Sequence, residues 1–157
     1  VAGGRPAAAG GGNGMGMYRR ILGALDLTDD SVAVARRIAA LVQQCGAELQ
    51  LLHVVEFVPI EPMSDALVPV VQIDDKMLAR ATEQIRAIAA QVGLGADCCR
   101  VESGNVKSEI LRIARETQTD LIVLGSRERH GLSILVNMTE DTVLHGAPCD
   151  VLAVRVR

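Results

Sequence analysis

Hydrophobic positions along the chain fall into short apolar runs that alternate with longer stretches of helical spacing. The apolar runs predict five strands, at residues 18–27, 47–55, 96–102, 121–124 and 151–156. Between them, apolar residues recur every three or four positions and predict four helices, at residues 32–46, 74–92, 106–118 and 132–145. This strict alternation predicts a single three-layer α/β/α domain with a five-stranded parallel sheet of order 3-2-1-4-5.

Two segments lie outside this pattern. Residues 1–16 are rich in glycine and alanine, so we expect a flexible tail before one domain at 17–157, with Met15 or Met17 as the native start. Residues 57–72 contain three prolines, which exclude a regular helix. A connection of about sixteen residues is long for a compact domain, which suggests a cover over a site or a surface for a protein partner.

The predicted strand order places one ligand site. The chain direction reverses between strands 1 and 4, and a crevice is expected at their carboxyl ends. Asp26 ends strand 1, residues 53–56 end strand 2, and a glycine-bearing loop begins at Gly125 after strand 4. Such a loop between a buried strand and a helix can hold a phosphate, because backbone N–H groups and the helix dipole converge there.

Composition narrows the classes of function. Hydrophobic residues make up 49% of the 157 residues, whereas Tyr18 and Phe57 are the only aromatic ones. The core is therefore aliphatic, as suits parallel strands buried on both faces. The net charge is −3, and without basic stripes or stacking rings nucleic-acid binding is not expected. No apolar run approaches the ~18 residues of a membrane span, so membrane insertion is not expected either.

The four cysteines are Cys45, Cys98, Cys99 and Cys149. They form no CxxC pair and do not cluster with histidine as a zinc site would. We interpret them as buried, reduced thiols of a cytosolic protein. Cys98 and Cys99 are adjacent, so their side chains would point to opposite faces if both lay in strand 3.

Asp26 has a functional and a structural interpretation. It either contacts a ligand in the crevice or caps the first helix together with residues 28–31. With the two aspartates that follow, it also resembles the Mg²⁺ site of a receiver domain. That site needs an aspartate after strand 3 and a lysine after strand 5, where this chain has Glu102 with Ser103 and Arg155.

The three histidines do not form a catalytic group. His53 lies on an apolar strand and is interpreted as a hydrogen-bonded core histidine. His130 in the loop is the better ligand candidate, and His145 near a helix C-terminus favours the helix dipole. Because no Ser–His–Asp arrangement is apparent, no catalytic residue is predicted.

The chain resembles the universal stress protein family over about residues 17–157. The resemblance rests on Ala24-Leu25-Asp26, on 52–55, on 104–110, on 120–126 and on 143–154. It implies the adenine-nucleotide alpha-hydrolase-like fold, which agrees with the predicted sheet, and a homodimer that pairs through the last strand. We interpret that strand as core on both faces and as an edge that invites pairing with a second copy. The candidate interface residues are Val151, Leu152, Val154 and Val156.

Many members of that family look like ATP binders, and the resemblance implies site residues by position. In those members the first-strand aspartate contacts adenine, the end of strand 2 packs on the base, and a glycine loop holds ribose and phosphates. The nucleotide-binding candidates in this chain are Ala24, Asp26, Val54, Gly125, Arg127, Gly131, Asn137, Met138 and Thr139.

The loop departs from the family pattern of G-x-x-G followed by G-[S/T]. Glu128 stands at the second glycine, and Asn137-Met138 stand at the G-[S/T] pair. A glutamate beside a triphosphate is unfavourable by about 1 kcal/mol at ~4 Å in water, and Met138 supplies no hydroxyl. Arg127 and Arg129 could compensate as cationic phosphate partners.

We therefore predict a dimeric, cytoplasmic, non-catalytic stress-response or regulatory module with a weak or absent ATP pocket and no metal ligands of its own. The alternative is an ATP-binding member that slowly hydrolyses ATP or transfers a phosphoryl group, with ATP or AMP and Mg²⁺ as cofactors. The loop distinguishes the two, because an enzyme should keep the glycines that hold the phosphates.

Overall fold

The computed structural model of the protein describes residues 16–56, 75–127, 143 and 145–156. Five strands and three helices lie in this part of the chain, together with one short 3-10 helix. In chain order they are β1 Arg20–Ala24, α1 Ser31–Cys45, β2 Glu48–Glu56, α2 Asp75–Gln91, the 3-10 helix Ala96–Cys98, β3 Cys99–Gly104, α3 Val106–Glu116, β4 Leu121–Arg127 and β5 Asp150–Val156. Residues 143, 145 and 146 are also helical.

The five strands form one parallel sheet in the order β3-β2-β1-β4-β5. The predicted fold class and strand order are confirmed. Asp120 fixes the start of the central pair, since its carboxylate accepts hydrogen bonds from the backbone N–H groups of Arg19 and Arg20 at 2.8 and 3.0 Å. This contact aligns the first residues of β1 with those of β4 and so sets the level at which both strands end.

Aliphatic side chains fill a separate core on each face of the sheet. On one face, Ile21 and Leu51 pack with Val34 and Ile38 of α1 and with Ile85 of α2. On the other face the strands pack against α3, through Leu22, Leu52, Ile122, Leu124, Ile110, Ile113 and Ala114. Adjacent strand residues alternate between the two clusters, as the two-residue period of a strand requires.

Cap residues mark the C-terminus of α1 and the N-terminus of α3. Gly46 follows α1 with φ 63° and ψ 32°, and its N–H binds the carbonyl of Val42, so a left-handed residue closes the helix. Asn105 precedes α3, and its side chain accepts a hydrogen bond from the N–H of Ser108 at 3.1 Å. These caps agree with the predicted end of the first helix at 46 and the predicted start of the third at 106.

Several boundaries differ from the predictions. The fourth strand extends from the predicted 121–124 to Arg127, so Gly125 lies within β4, paired with Val154, and the prediction that a loop begins there is wrong. The first strand is shorter than 18–27 and ends at Ala24, the last residue that pairs with β2 and β4, and the left-handed Leu27 with φ 56° lies in the turn that follows. The third strand does not begin at Ala96, since residues 96–98 form the 3-10 helix and β3 extends to Gly104. Most of the predicted fourth helix, the proline-bearing segment 57–72 and residues 1–15 lie outside the described residues.

Candidate functional site

A crevice of about 590 Å³ lies at the carboxyl ends of β1, β2 and β4. This is the position that the strand order predicts, between the two strands where the chain direction reverses. Its lining residues within the described part of the chain are Ala24, Leu25, Asp26, Val34, Leu52, His53, Val54, Val55, Glu56, Met77, Val106, Ile110, Leu124 and Gly125. Most of them are aliphatic, so the crevice suits a ligand with an apolar body and a few polar groups.

The end of β1 is held firmly against β2. The N–H of Leu25 donates to the carbonyl of Leu52 at 2.9 Å, and the carbonyl of Leu25 lies 2.8 Å from Nδ1 of His53. Because a carbonyl only accepts, Nδ1 of His53 carries the proton. His53 is thus a hydrogen-bonded histidine, as predicted, although it also lines the crevice.

Asp26 lies at the crevice and also organises the start of α1. Its Oδ1 accepts hydrogen bonds from the N–H of Thr28 at 3.2 Å, from the Thr28 hydroxyl at 2.6 Å and from the Ser31 hydroxyl at 2.8 Å. Ser31 is almost fully buried, and its hydroxyl donates to this oxygen and accepts from the N–H of Thr28 at 3.0 Å, so both of its hydrogen-bonding roles are satisfied. The N-cap of α1 is Asp30, which makes no side-chain cap hydrogen bond, so Asp26 orders the turn before the helix through Thr28 and Ser31 while it lines the crevice.

Backbone strain coincides with this corner of the crevice. Leu27 directly follows Asp26 and adopts φ 56°, a left-handed conformation that costs a bulky residue on the order of 1–3 kcal/mol. The two preceding residues, Leu25 and Asp26, make hydrogen bonds that hold the backbone of Leu27 in this conformation. Such strain is typical of sites that present a group in one direction.

Gly125 has a packing role of its own. A Cβ at this position would lie 2.9 Å from Cγ2 of Val34, which is buried in α1. The close approach of β4 and α1 at the crevice edge therefore depends on glycine. The same feature that would bring a backbone near a phosphate is thus also required by the fold.

The charge of the described lining residues is negative. Asp26 and Glu56 carry carboxylates, and no lysine or arginine is among the described residues around the crevice. His53 contributes a polar ring held by Leu25. These residues favour a ligand with donor groups over one that places a polyphosphate beside them.

Four of the nine predicted nucleotide candidates, Ala24, Asp26, Val54 and Gly125, lie together around the crevice. Arg127 is the last residue of β4, at the carboxyl edge of the sheet where the crevice lies. The other candidates, Gly131, Asn137, Met138 and Thr139, and the loop histidine His130, fall outside the described residues. In the part of the chain that the structure describes, no group of three His, Cys, Asp or Glu side chains is arranged to hold a metal ion.

Sequence reasoning missed the helical walls of the crevice. Val34, Met77 and Val106 lie in the first turns of their helices, and Ile110 lies one turn further along α3. Each of these helices follows a strand in chain order, α1 after β1, α2 after β2 and α3 after β3, and its residues near the start line the same crevice. The strand order alone would have identified them.

The two outer strands of the described sheet differ in chemistry. On β3 and α3, two arginines and three glutamates form a connected set of ion pairs, with Arg100 2.6 Å from Glu102 and Arg112 2.6 Å from Glu109 and 2.8 Å from Glu116. On β5, Val154 is buried, but Leu152 is 38% exposed and Ala153 is exposed. The prediction that β5 is core on both faces is wrong at Leu152, because the outermost strand is incompletely covered by the described helices.

The other two candidate interface residues also lie in β5: Val156 is its last residue, and Val151 is half-buried.

No helix in the described ranges combines the length and apolarity that a bilayer crossing needs.

A doubly wound parallel sheet with a crevice at its switch point defines an α/β domain of the class that holds small ligands beyond its strand ends. A model of the universal stress protein family matches residues 17–155, and the chain belongs to that family.

Relatives and solved structures agree with this assignment. Universal stress protein A homolog 2 of Coxiella burnetii is 36% identical over 147 residues, which cover 91% of this chain and 99% of that protein. Universal stress protein UspA from Lactobacillus plantarum has a TM-score of 0.68 at 25% identity and covers 88% of this chain and 98% of its own. A universal stress protein in complex with cAMP shares the fold, with a TM-score of 0.57 at 17% identity over 87% of this chain and 97% of that one.

Proposed function

We propose that the protein is a cytoplasmic, homodimeric stress-response module that acts by binding rather than by catalysis, with the crevice as a weak adenine-nucleotide site. One observation carries the proposal: Ala24, Asp26, Val54 and Gly125, which are distant in sequence, line one crevice at the switch point of the sheet. The universal stress protein that was solved with cAMP supports an adenine nucleotide as the class of ligand.

The walls of the crevice suit a nucleobase. Val54 and Leu124 from the sheet, with Met77 and Ile110 from the helices, supply apolar surface for a flat ring. The Asp26 carboxylate at the mouth is an acceptor for amino or hydroxyl donors. An adenine nucleoside presents both kinds of group.

The charges near the site disfavour a triphosphate. Asp26 and Glu56 line the crevice, and the loop sequence adds Glu128 where the family pattern has glycine. Each like-charge contact costs about 1 kcal/mol at ~4 Å in water and more where water is excluded. We therefore propose binding of ATP weaker than about 10 μM, a regime in which the protein responds to nucleotide concentration without retaining the ligand.

A titration with a blocked crevice tests this proposal. Calorimetry with ATP and Mg²⁺, and separately with cAMP, should give dissociation constants between about 10 μM and 1 mM for the natural chain. Ala24→Leu places a larger side chain at the crevice and should weaken binding by at least about tenfold. Ala40→Leu, a matched change at an exposed position of α1, should have no effect.

Three results would contradict the proposal. Absence of binding at about 1 mM would exclude a nucleotide ligand. Retention of ATP through purification would exclude a weak site. Equal affinities of the natural chain and the Ala24→Leu variant would place the ligand outside the crevice.

A further inference from the structure

The adjacent cysteines Cys98 and Cys99 lie at the junction of the 3-10 helix and β3. Two successive residues of a strand would point to opposite faces of the sheet. Cys98 instead ends the 3-10 helix, and Cys99 begins the strand with φ −88°. Both side chains consequently pack against the same hydrophobic cluster, on the face that α1 and α2 cover.

Both sulfurs are reduced, half-buried and held by backbone carbonyls. Cys98 Sγ donates to the carbonyl of Gly95 at 3.0 Å, and Cys99 Sγ donates to the carbonyl of Ile85 in α2 at 3.8 Å. Neither carbonyl depends on its thiol. That of Gly95 also accepts from the N–H of Cys98, and that of Ile85 lies inside a helix. The thiol protons can therefore be lost without leaving an orphaned acceptor.

The two thiols also interact with each other. Burial, and to a smaller degree the neighbouring Cys99, raise the pKa of the Cys98 thiol to about 11. Burial raises the pKa of Cys99 as well, but the hydrogen bond from Cys98 and the charge of Arg86 oppose that rise. The positive charge of Arg86 therefore favours negative charge on this sulfur pair, whereas the nearby Asp97 disfavours it.

We propose that Cys98 and Cys99 form a two-thiolate site for a soft monovalent metal ion, with Cu(I) as the ion of that class. Thiolates select such ions over hard cations, and two neighbouring sulfurs on one face can share one ion. The absence of a third ligand group in the described residues argues against a tetrahedral zinc site and favours an ion that two thiolates satisfy.

Binding is a displacement of protons and involves no electron transfer. Both thiols are protonated at neutral pH, so one Cu(I) replaces two protons and leaves a bis-thiolate complex with a single negative charge. Affinity should therefore rise by about 100-fold per pH unit between pH 6 and pH 8, which is the slope of a two-proton exchange. A single thiol would give about tenfold.

The other two cysteines provide matched controls. Cys45 and Cys149 are also reduced and half-buried, but each is remote in sequence from any other cysteine. An anaerobic titration of the full chain with Cu(I), in competition with a chromophoric Cu(I) chelator, should show one ion per chain. Cys98→Ser and Cys99→Ser should each weaken binding by at least about 100-fold. Cys45→Ser and Cys149→Ser should leave it unchanged.

Circular dichroism before the titration tests whether each variant is folded. If Cys98→Ser or Cys99→Ser is not folded, the corresponding alanine variant, Cys98→Ala or Cys99→Ala, takes its place. The proposal is overturned if the natural chain does not compete with the chelator, or if the Cys98 and Cys99 variants bind as the natural chain does. Loss of binding in a Cys45 or Cys149 variant, or a pH slope of one proton, would also overturn it.

Discussion

At the scale of single residues, Gly125 and His53 show how the fold and the site share positions. Gly125 permits a backbone to approach a ligand, and the same lack of a Cβ lets β4 pack against Val34. His53 lines the crevice while its ring binds the carbonyl of Leu25, the residue directly after β1. At such positions a loss of ligand binding after mutation does not by itself identify a ligand contact, and stability must be measured alongside.

Gly125→Ala should destabilise the protein even without ligand. The added methyl would lie 2.9 Å from Cγ2 of Val34, and overpacking of this kind costs about 1–3 kcal/mol. Chemical denaturation should show that loss in the free energy of unfolding. Combining the change with Val34→Ala should recover part of the loss, with a coupling of about 1 kcal/mol. Strictly additive effects in this double-mutant cycle would contradict the packing role of Gly125.

The residue scale also shows what the sequence could predict. Asp26, Val54 and Gly125 were identifiable because each lies near the carboxyl end of an apolar strand, and these ends converge in a parallel sheet. Met77 and Val106 were missed because helical spacing marks them only as apolar, although both lie near the start of a predicted helix. Cys98 and Cys99 were expected on opposite faces only if both lay in strand 3. Cys98 lies instead in the 3-10 helix before β3, which the sequence does not signal strongly.

At the scale of elements, the two outer strands explain where a second copy would pair. β3 carries Arg100 and Glu102, whose ion pairs reach α3. Charged side chains on an edge strand oppose pairing with another chain. β5 instead exposes Leu152 and Ala153, so the predicted homodimer through the last strand is best tested there. Val154 is unsuitable for that test because it belongs to the core of its own chain.

Leu152→Glu should convert the proposed dimer to a monomer. The charge would stand on an exposed edge position, where like charges from two copies would face each other across the interface. Ser103→Glu places the same charge on the exposed edge of β3 and should leave the dimer intact. Light scattering gives the mass of each species. A dimeric Leu152→Glu variant, or a monomeric Ser103→Glu variant, would refute pairing through β5.

At the scale of the whole molecule, the alternating pattern was sufficient to predict the fold, and the sheet order followed from topology. The function of the loop after β4 does not follow in the same way. Glu128, Asn137 and Met138 are identified as departures only by position within the family pattern, because local hydrophobic periodicity carries no information about phosphate contacts. The claim that this crevice is a weakened nucleotide site therefore depends on those three residues, together with the carboxylates of Asp26 and Glu56 in the crevice.

The most direct test restores the family pattern in the loop. Calorimetry should compare the dissociation constant for ATP with Mg²⁺ between the natural chain and a Glu128→Gly, Asn137→Gly, Met138→Ser variant. We predict a constant weaker than about 10 μM for the natural chain and binding at least about tenfold tighter for the variant, since a like charge is removed and a hydroxyl is added. A natural chain that binds more tightly than about 10 μM, or a variant that binds no more tightly than the natural chain, would contradict the account.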